Sequence, residues 1–346
     1  MSVASTTRTE DLPQAGGAPS PGSRRAAGIG SKVLDVLERY GLVVLFVVVV
    51  AYFSATTDVF ATEANFRSIV GNNSVLAIAA LAAIIPLVGG QFDLSVGSVI
   101  GISSIATAAA LSNFELPLVV AVAVGVVLGG LIGLVNGLLV AKVGVNALIT
   151  TLGVATVLGG IVQWYTEGQS ILRGIPGTLT DVGSGQWLGL PRPLFFLAAV
   201  ALVVFYVLAY TPYGRYLHSV GSNPSSARLT GLPVDRIVLL SFVLSGTLAG
   251  LAGVLQVARA GLANPQIGPN FVLPALAAAF LGATTIRPGR YNVPGTILAV
   301  FFLAASVSGL TLSGFEPWVE PTFNGSALII AVAMSTVIAR RRAAAG

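Results

Sequence analysis

The stretch Gly89–Ser98, "GGQFDLSVGS", decides the fold because it places one carboxylate between two apolar runs. Each run is long enough to cross a bilayer, whose hydrocarbon core needs about 20 apolar residues per helix. Gly89 and Gly90 allow the backbone to reverse, and Asp93 or Ser95 can cap the next helix, where the helix dipole favours a negative group. We therefore expect a tight turn between two spans, with Asp93 as a cap and gating as its alternative role.

The composition is that of a membrane protein. Of the 346 residues, 55% are hydrophobic and 9% are charged, whereas about a quarter of a soluble domain is charged. The chain has no cysteine, and His218 is its only histidine. Disulfide frameworks, thiolate metal sites and histidine clusters are thus excluded. The sequence predicts an all-α polytopic protein with no metal site and no catalytic residue, which disfavours an integral-membrane enzyme.

Runs of about 20 apolar residues predict ten transmembrane helices. They are placed near residues 38–56, 70–90, 94–112, 116–140, 146–166, 193–210, 236–258, 271–284, 293–313 and 322–339. With the amino terminus inside, 14 of the 18 Lys and Arg residues fall in inner segments, and only Arg67, Arg173, Arg192 and Arg259 fall in outer ones. This distribution follows the positive-inside rule and predicts that both termini are cytoplasmic.

The domain organisation follows from these runs. Residues 1–36 are rich in Ser, Thr, Ala, Pro and Gly, which predicts a disordered cytoplasmic tail. The first apolar run begins near Gly41, too late for a signal peptide. Residues 37–340 are expected to form the transmembrane domain, and residues 341–346 a cytoplasmic C-terminal tail.

Two prolines and a glycine pattern modify the spans. Pro86 and Pro274 lie inside predicted spans, where proline favours a kink, and each marks either a pathway or a packed kink. The fourth span carries glycines four residues apart, a pattern that lets helix backbones approach closely in lipid. These are Gly125, Gly129, Gly133 and Gly137, and Gly246 and Gly250 repeat the pattern more weakly.

Residues 211–236, "TPYGRYLHSVGSNPSSARLTGLPVDR", form the longest predicted inner connection. Asn223 can cap a helix that has Pro224 in its first turn, and Gly231 can end it. The sequence therefore predicts a short surface helix over residues 224–230. It is either a docking knob for a cytoplasmic partner or a solvated amphipathic loop.

Three segments together carry a resemblance. "GGQFDLSVGS", then "GLVNGLLVAKVGVNALITTLG", then the 211–236 segment lie in order within residues 40 to 340. In this order and spacing they resemble the ribose/xylose/galactoside-type permeases of ATP-binding cassette importers. The resemblance implies the vitamin-B12-permease-like architecture, with about ten helices in each of two subunits around a central path in the bacterial cytoplasmic (inner) membrane.

The resemblance also implies partners. The 211–236 segment would carry the coupling helix that docks on a separate ATPase, which binds ATP and Mg²⁺. The chain's only lysines, Lys32 and Lys142, do not end a phosphate-binding G-x-x-x-x-G-K-[ST] sequence, so no cofactor is expected on this chain. The residues that match the family's coupling pattern are Gly214, Arg215, Gly221, Asn223, Ala227, Arg228 and Gly231.

Two further partners follow from the same resemblance, besides the lipid bilayer; no nucleic acid is expected. One is a second permease subunit, identical or different. The other is an extracytoplasmic sugar-binding protein, which would dock on residues 167–192. Glu167, Arg173 and Asp181 could supply complementary charges there. From the residues alone, this loop could equally be an unstructured connector.

The substrate pathway is predicted from polar residues in or beside the spans. Neutral sugars require hydrogen-bond partners and apolar walls rather than fixed charges. The candidates for a pathway or gate are Asn72, Asn73, Gln91, Asp93, Ser95, Asn136, Gln163 and Gln256. Asn146 is a further polar residue of this kind, and each could instead bond a neighbouring helix.

Competing functions remain open at this point. Nucleoside and branched-chain amino acid permeases belong to the same superfamily. A proton-coupled secondary transporter would need an ionisable relay within the membrane, and Asp93 is the only acid near the bundle interior, without a basic residue nearby in the sequence.

Overall fold

The computed structural model describes the backbone of residues 29–345 and the side chains of residues 39–334 and 336. The first 28 residues of the predicted tail lie outside this range. The first helix begins at Ile29, inside the segment expected to be a tail, and the last one continues to Ala345, through the predicted C-terminal tail.

The described chain is almost entirely helical. Its helices are α1 Ile29–Thr56, α2 Glu63–Val88, α3 Val96–Ser112, α4 Leu118–Leu138, α5 Ala147–Thr166, α6 Gly177–Ser184, α7 Arg192–Tyr210, α8 Pro212–Ser222, α9 Pro224–Leu229, α10 Val234–Ala260, α11 Pro269–Gly282, α12 Val293–Leu312 and α13 Val319–Ala345. A π-helical turn, Leu139–Val143, continues α4. Strands β1 Gln186–Trp187 and β2 Leu190–Pro191 form an antiparallel hairpin.

Ten of these helices overlap the ten predicted spans. In the described part of the chain, seven helices are long and apolar enough to cross a membrane: α1, α2, α4 with its π-helical turn, α5, α7, α10 and α12. Three shorter apolar helices are Val96–Ser112, Pro269–Gly282 and Val319–Met334. The protein is therefore an all-α, polytopic membrane protein.

The connections between helices gather at two ends of the bundle. At one end, which we term the α8–α9 end, Gly90 lies against the backbone of Gly221. At the same end, the Ile286 amide, between α11 and α12, donates to the Arg39 carbonyl at 2.9 Å.

The opposite end carries the β-hairpin, and we term it the hairpin end. There the Asn113 amide side chain, after α3, donates to the Tyr165 hydroxyl near the end of α5 at 2.9 Å. Ile171 and Ala263 form an isolated β-bridge that joins the segments after α5 and α10.

The seam between α4 and α10 is the most extensive helix–helix contact. A Cβ atom on Gly133 would lie 2.2 Å from the Phe242 carbonyl oxygen, and one on Gly129 would lie 2.3 Å from that of Gly246. The backbones touch because neither glycine has a side chain. The predicted glycine ridge is confirmed.

Helices α3 and α11 start side by side within the bundle. A Cβ atom on Gly97, in the first turn of α3, would lie 2.4 Å from the carbonyl oxygen of Gly268, which directly precedes α11. From there α3 runs to the hairpin end, where Ser112 meets Gly174, while α11 runs to Gly282 near the start of α12. The breaks in the spans are thus the non-helical segments 89–95 and 261–268. Pro86 and Pro274, in contrast, lie inside continuous helices.

Candidate functional site

Asp93 is the centre of a polar cluster that joins three helices. Asp93 is buried, with 3% of its surface exposed. Oδ1 accepts hydrogen bonds from the Ser95 amide at 3.0 Å and the Ser95 hydroxyl at 2.6 Å, and Oδ2 accepts one from the Ser245 hydroxyl at 3.0 Å. The Asn136 amide donates to Ser95 Oγ at 2.8 Å. We term Asp93, Ser95, Asn136 and Ser245 the buried node.

The predicted turn is present at Gly89 and Gly90, where Gly90 has a φ of +75°. It does not complete the connection, because the buried node lies inside the bundle. Ser245 follows the start of α10 at Val234 by eleven residues, or about 16 Å along a helix that rises about 1.5 Å per residue. Helix α2 ends at the α8–α9 end, whereas α3 begins beside Ser245. The chain from Gln91 to Ser95 must therefore re-enter the bundle as a non-helical segment.

The capping prediction is wrong, since neither Asp93 nor Ser95 makes a side-chain hydrogen bond to an amide of α3. Asp93 accepts the amide of Ser95, the residue that precedes α3, but the Ser95 hydroxyl makes no cap hydrogen bond and donates to Asp93 instead. A buried carboxylate is tolerated only when it is hydrogen-bonded or paired. Among the described side chains no ion pair includes Asp93, so hydroxyl and amide donors alone satisfy it.

A second polar group surrounds a cavity of about 350 Å³ near the hairpin end, bounded by α2, α11, α12 and α13. Its polar lining consists of Ser68, Asn72, Asn73, Asn270, Ser308, Glu320 and Asn324, and its apolar lining includes Leu76, Phe271 and Leu303. We term it the asparagine cavity. The predicted pathway residues Asn72 and Asn73 meet here. The sequence analysis missed Asn270 and Asn324, although Asn324 is a polar residue within a predicted span and the same criterion could have found it.

The other predicted pathway residues lie apart. Gln91 is half-buried beside Phe92, whose ring stacks on that of Phe280 with centroids 6.1 Å apart. Gln163 accepts a long hydrogen bond of 3.5 Å from Gln266 at the hairpin end. Gln256 is half-buried on α10, and Asn146 caps α5. The predicted pathway residues therefore do not form one site. Some of them meet in the buried node, two meet in the asparagine cavity, and the others lie apart.

The predicted short surface helix is present as α9. The Asn223 side chain accepts from the Ser226 amide at 3.0 Å, Pro224 occupies the first turn, and Gly231 has a φ of +83°. Such a left-handed residue after a helix favours glycine. Cap, start and stop all lie where the sequence predicts them.

The seven residues of the predicted coupling pattern have different structural positions. A Cβ atom on Gly214 would lie 2.3 Å from the Leu208 carbonyl oxygen, and one on Gly221 would lie 2.0 Å from that of Val88. These glycines let α8 lie against α7 and α2. Ala227 is buried, whereas the remaining members, Arg215, Asn223, Arg228 and Gly231, are exposed.

Arg228 and Leu229 present different chemistry on α9. Arg228 Nη2 donates to Asp235 Oδ1 at 2.7 Å, and Lys142 Nζ lies 3.9 Å from the same carboxylate. Arg228 therefore fixes the junction of α9 with α10. Leu229 is 90% exposed, and the sequence analysis missed it. An exposed leucine on a short, capped helix is a candidate contact for a partner.

His218, on α8, lies near two arginine side chains, Arg287 and Arg290. Burial, together with the nearby Arg290 and Arg287 charges, holds the pKa of His218 below its usual value of 6.5. His218 and Arg290 line a cavity of about 680 Å³ with Asn223 and Ser226. This end of the bundle thus offers a cationic surface next to α9.

Residues 167–192 are structured. Helix α6 packs against the end of α10, and a Cβ atom on Gly183 would lie 2.1 Å from the carbonyl carbon of Ala258. Arg192 lies over the Trp187 ring at 5.4 Å and donates to the Asp181 carbonyl at 2.9 Å. Leu188 at the hairpin tip is 94% exposed.

Comparison with known proteins identifies relatives of the chain by sequence. The family model described as "Branched-chain amino acid transport system / permease component" matches residues 65–333. The "Ribose import permease protein RbsC" of Escherichia coli (strain K12) is 34% identical over 86% of this chain and 93% of its own. The "L-arabinose ABC transporter permease protein AraH" of Azospirillum brasilense is 30% identical, over 94% and 93% of the two chains respectively.

A third relative is the "D-allose transport system permease protein AlsC" of Escherichia coli (strain K12), which is 28% identical over 88% of this chain and 93% of its own. No solved structure gives a significant match. Since the family model covers most of the chain and the relatives align over nearly their whole length, the chain belongs to the branched-chain amino acid transport system / permease component family.

Proposed function

We propose that this chain is the permease subunit of an ATP-binding cassette importer for a sugar or polyol, and that it moves its substrate by alternating access. The observation that carries this proposal is the contact between α8 and the Gly89–Gly90 turn, since the chain leads from that turn directly to the buried node. A partner that binds to α8 and α9 and displaces them would therefore act on the buried node.

The proposed topology has ten crossings with both termini in the cytoplasm. The α8–α9 end is the cytoplasmic one because its connections concentrate basic residues, as the positive-inside rule requires. They are Lys142, Arg215, Arg228, Arg236, Arg287 and Arg290. The short helices α3 and α11 complete their crossings with the non-helical segments that precede them.

The proposed partner at the cytoplasmic end is a separate ATPase that binds ATP and Mg²⁺. Helix α9 is capped by Asn223 and linked to α10 by the Arg228–Asp235 pair. Leu229 projects from it and would enter a groove of the ATPase. Full burial of a leucine side chain contributes about 1.5–3 kcal/mol.

Motion at α8 would reach the buried node through direct contacts. A Cβ atom on Gly89 would lie 2.8 Å from a Leu217 side-chain atom, and Gly221 meets the Val88 carbonyl. Four residues after Gly89, Asp93 binds Ser245 of α10, and Ser95 binds Asn136 of α4. A shift of α8 against α2 would thus be passed to the α4–α10 seam.

Two further partners belong to the proposal. A second permease subunit would cover the outer face of α5, where Gly153, Gly159 and Gly160 have no atoms of other elements near them. An extracytoplasmic sugar-binding protein would dock at the hairpin end, where Leu188 and the exposed Glu167, Arg173 and Asp181 lie. The bilayer would be the bacterial cytoplasmic membrane.

The substrate class rests on the relatives and on the lining of the asparagine cavity. The relatives are named for ribose, L-arabinose and D-allose. Side-chain amides both donate and accept hydrogen bonds, and so complement hydroxyl groups. A branched-chain amino acid permease is the second candidate because the family description names that substrate. An amino acid would bring an ammonium and a carboxylate, and Glu320 is the only acidic or basic side chain among the described residues that line the cavity.

ATP-driven uptake tests this proposal. The chain is reconstituted in proteoliposomes with its ATPase and binding protein, and uptake of ribose, L-arabinose, D-allose and leucine is compared with and without ATP. We expect ATP-dependent uptake of at least one of the three sugars and none of leucine. Uptake of leucine alone would favour the second candidate, and uptake by the chain alone under a proton gradient would contradict an ATP-driven importer.

A further inference from the structure

We propose that the asparagine cavity is a binding subsite for a neutral sugar or polyol on the hairpin side of the bundle. This inference rests on the proposed function and assigns the contacts that such a substrate would make. It differs from the pathway predicted from the sequence, because five of its seven polar side chains are not among the predicted residues: Ser68, Asn270, Ser308, Glu320 and Asn324.

Asn324 carries the argument. It is 7% exposed and lines the cavity, yet none of the described residues forms a hydrogen bond with its side chain. Its polar atoms are not among the wholly enclosed ones that lack a partner, so they open onto the cavity. By contrast, the buried Asn292 donates to the carbonyls of Gly282, Thr285 and Arg290. Asn324 therefore has hydrogen-bonding capacity that faces the cavity and is unused by the protein.

The other asparagines add both free and fixed groups. The Asn270 side chain, like that of Asn324, forms no hydrogen bond among the described residues. Asn72 is held in place, since its Nδ2 donates to Ser68 Oγ at 3.2 Å and its Oδ1 accepts from Arg259 Nε at 3.1 Å. Asn73 donates to the Ile69 carbonyl at 2.9 Å and retains a free acceptor oxygen. Donors and acceptors thus converge from α2, α11 and α13.

Size and charge select the ligand class. The volume of about 350 Å³ lies at the small end of the range of about 300–1,000 Å³ that is typical of small-molecule sites. Leu76, Phe271 and Leu303 provide apolar surface for the C–H faces of a sugar ring. Glu320 can accept hydroxyl hydrogen bonds. No described residue of the lining is Lys or Arg, and the nearby Arg259 guanidinium donates to Asn72. A neutral monosaccharide or polyol fits these conditions better than a phosphorylated or carboxylated one.

The cavity also connects to the buried node. Asn270 and Phe271 belong to the first turn of α11, and Gly268 just before it touches Gly97 in the first turn of α3. Asp93 and Ser95 lie immediately before that turn of α3. A displacement of the node during the transport cycle would therefore move α11 and change the shape of the cavity.

The absence of cysteine from the sequence permits a clean test. Asn324→Cys and Asn270→Cys are reconstituted separately with the ATPase and binding protein, and a charged methanethiosulfonate reagent is added outside. Thr56→Cys, at an exposed residue that ends α1 and lies outside both the cavity lining and residues 167–192, is the matched control. Uptake of ribose, L-arabinose and D-allose is measured before and after modification.

We expect modification at Asn324→Cys and Asn270→Cys to reduce uptake at least tenfold. We expect the transported sugar to slow that modification, and Thr56→Cys to be modified without loss of uptake. Unchanged uptake after complete modification of either cavity variant, or no protection by sugar, would overturn the inference. If Asn324→Cys does not fold, the loss of uptake and the protection by sugar are judged from Asn270→Cys alone, since Asn270 is exposed. If the unsubstituted complex takes up none of the sugars, it is the proposed sugar function that fails.

Discussion

The buried node and the asparagine cavity both collect polar side chains among apolar helices, but they use them differently. In the node, Asp93 receives three hydrogen bonds from Ser95 and Ser245 and lies in packed surroundings. In the cavity, Asn324 and Asn270 have no hydrogen-bond partner among the described residues and face open space. The hydrogen bonds of the node join helices and leave Asn136 Oδ1 as its one side-chain oxygen without a partner among the described residues. The unbonded amides of the cavity face a space instead and are suited to a ligand.

The largest expected difference is in stability. Asp93→Leu would leave three donors without their acceptor, and each unsatisfied group costs about 1–3 kcal/mol. We expect the free energy of unfolding to fall by about 3 kcal/mol or more. Asn324→Leu removes an amide that has no partner, so it should change stability by about 1 kcal/mol or less. Thermal unfolding of both variants in the same detergent measures this contrast, and equal losses would contradict the distinction between node and cavity.

The variant Asp93→Asn distinguishes a role of Asp93 in joining helices from a role in gating the substrate path. The amide keeps the size of the side chain and one acceptor oxygen, so we expect assembly and most transport to persist. The measurement is sugar uptake normalised to the amount of assembled complex. Loss of uptake in a fully assembled complex would show instead that the carboxylate gates the path.

A smaller effect is expected at the seam that the node ties together. Gly133→Ala would place a Cβ atom 2.2 Å from the Phe242 carbonyl oxygen and force α4 away from α10. Overpacking of this kind typically costs about 1–3 kcal/mol. Gly41→Ala on α1 is the control because a Cβ atom there meets nothing within 4 Å. Unfolding in detergent should separate the two variants, and equal stability would show that the seam can relax.

The smallest effect concerns the titration of His218 at the cytoplasmic end. Arg290 lowers the pKa of His218, so Arg290→Gln should raise that pKa toward the usual value. Because the folded-state pKa lies below the unfolded one, the unfolded chain binds more protons, and stability falls as the pH drops through the interval between them. The Arg290→Gln variant should therefore lose less stability on acidification than the unsubstituted protein. NMR titration of the single histidine checks the direction, and an unchanged or lower pKa would contradict the assigned contact.

The sequence predicted local features better than spatial ones. The α9 cap at Asn223, the stop at Gly231 and the ridge that contains Gly129 and Gly133 all follow from short-range chemistry that is visible along the chain. The re-entrant path from Gln91 to Ser95 could not be predicted from the spacing, because it depends on where α3 starts relative to Ser245. The sequence likewise marked Asn72 and Asn73 but not their meeting with Asn270 and Asn324, since those four residues come from three helices.

The exposed Leu229 tests the central claim most directly. Leu229→Asp changes a residue that is 90% exposed at the α8–α9 end, and Leu188→Asp changes one that is 94% exposed at the hairpin end, so neither should unfold the protein. ATPase binding to each reconstituted variant is measured by titration. If α9 is the coupling helix, Leu229→Asp should weaken binding by about 30-fold or more, which corresponds to about 2 kcal/mol, whereas Leu188→Asp should leave it unchanged. Unweakened binding of the ATPase to Leu229→Asp would contradict the account.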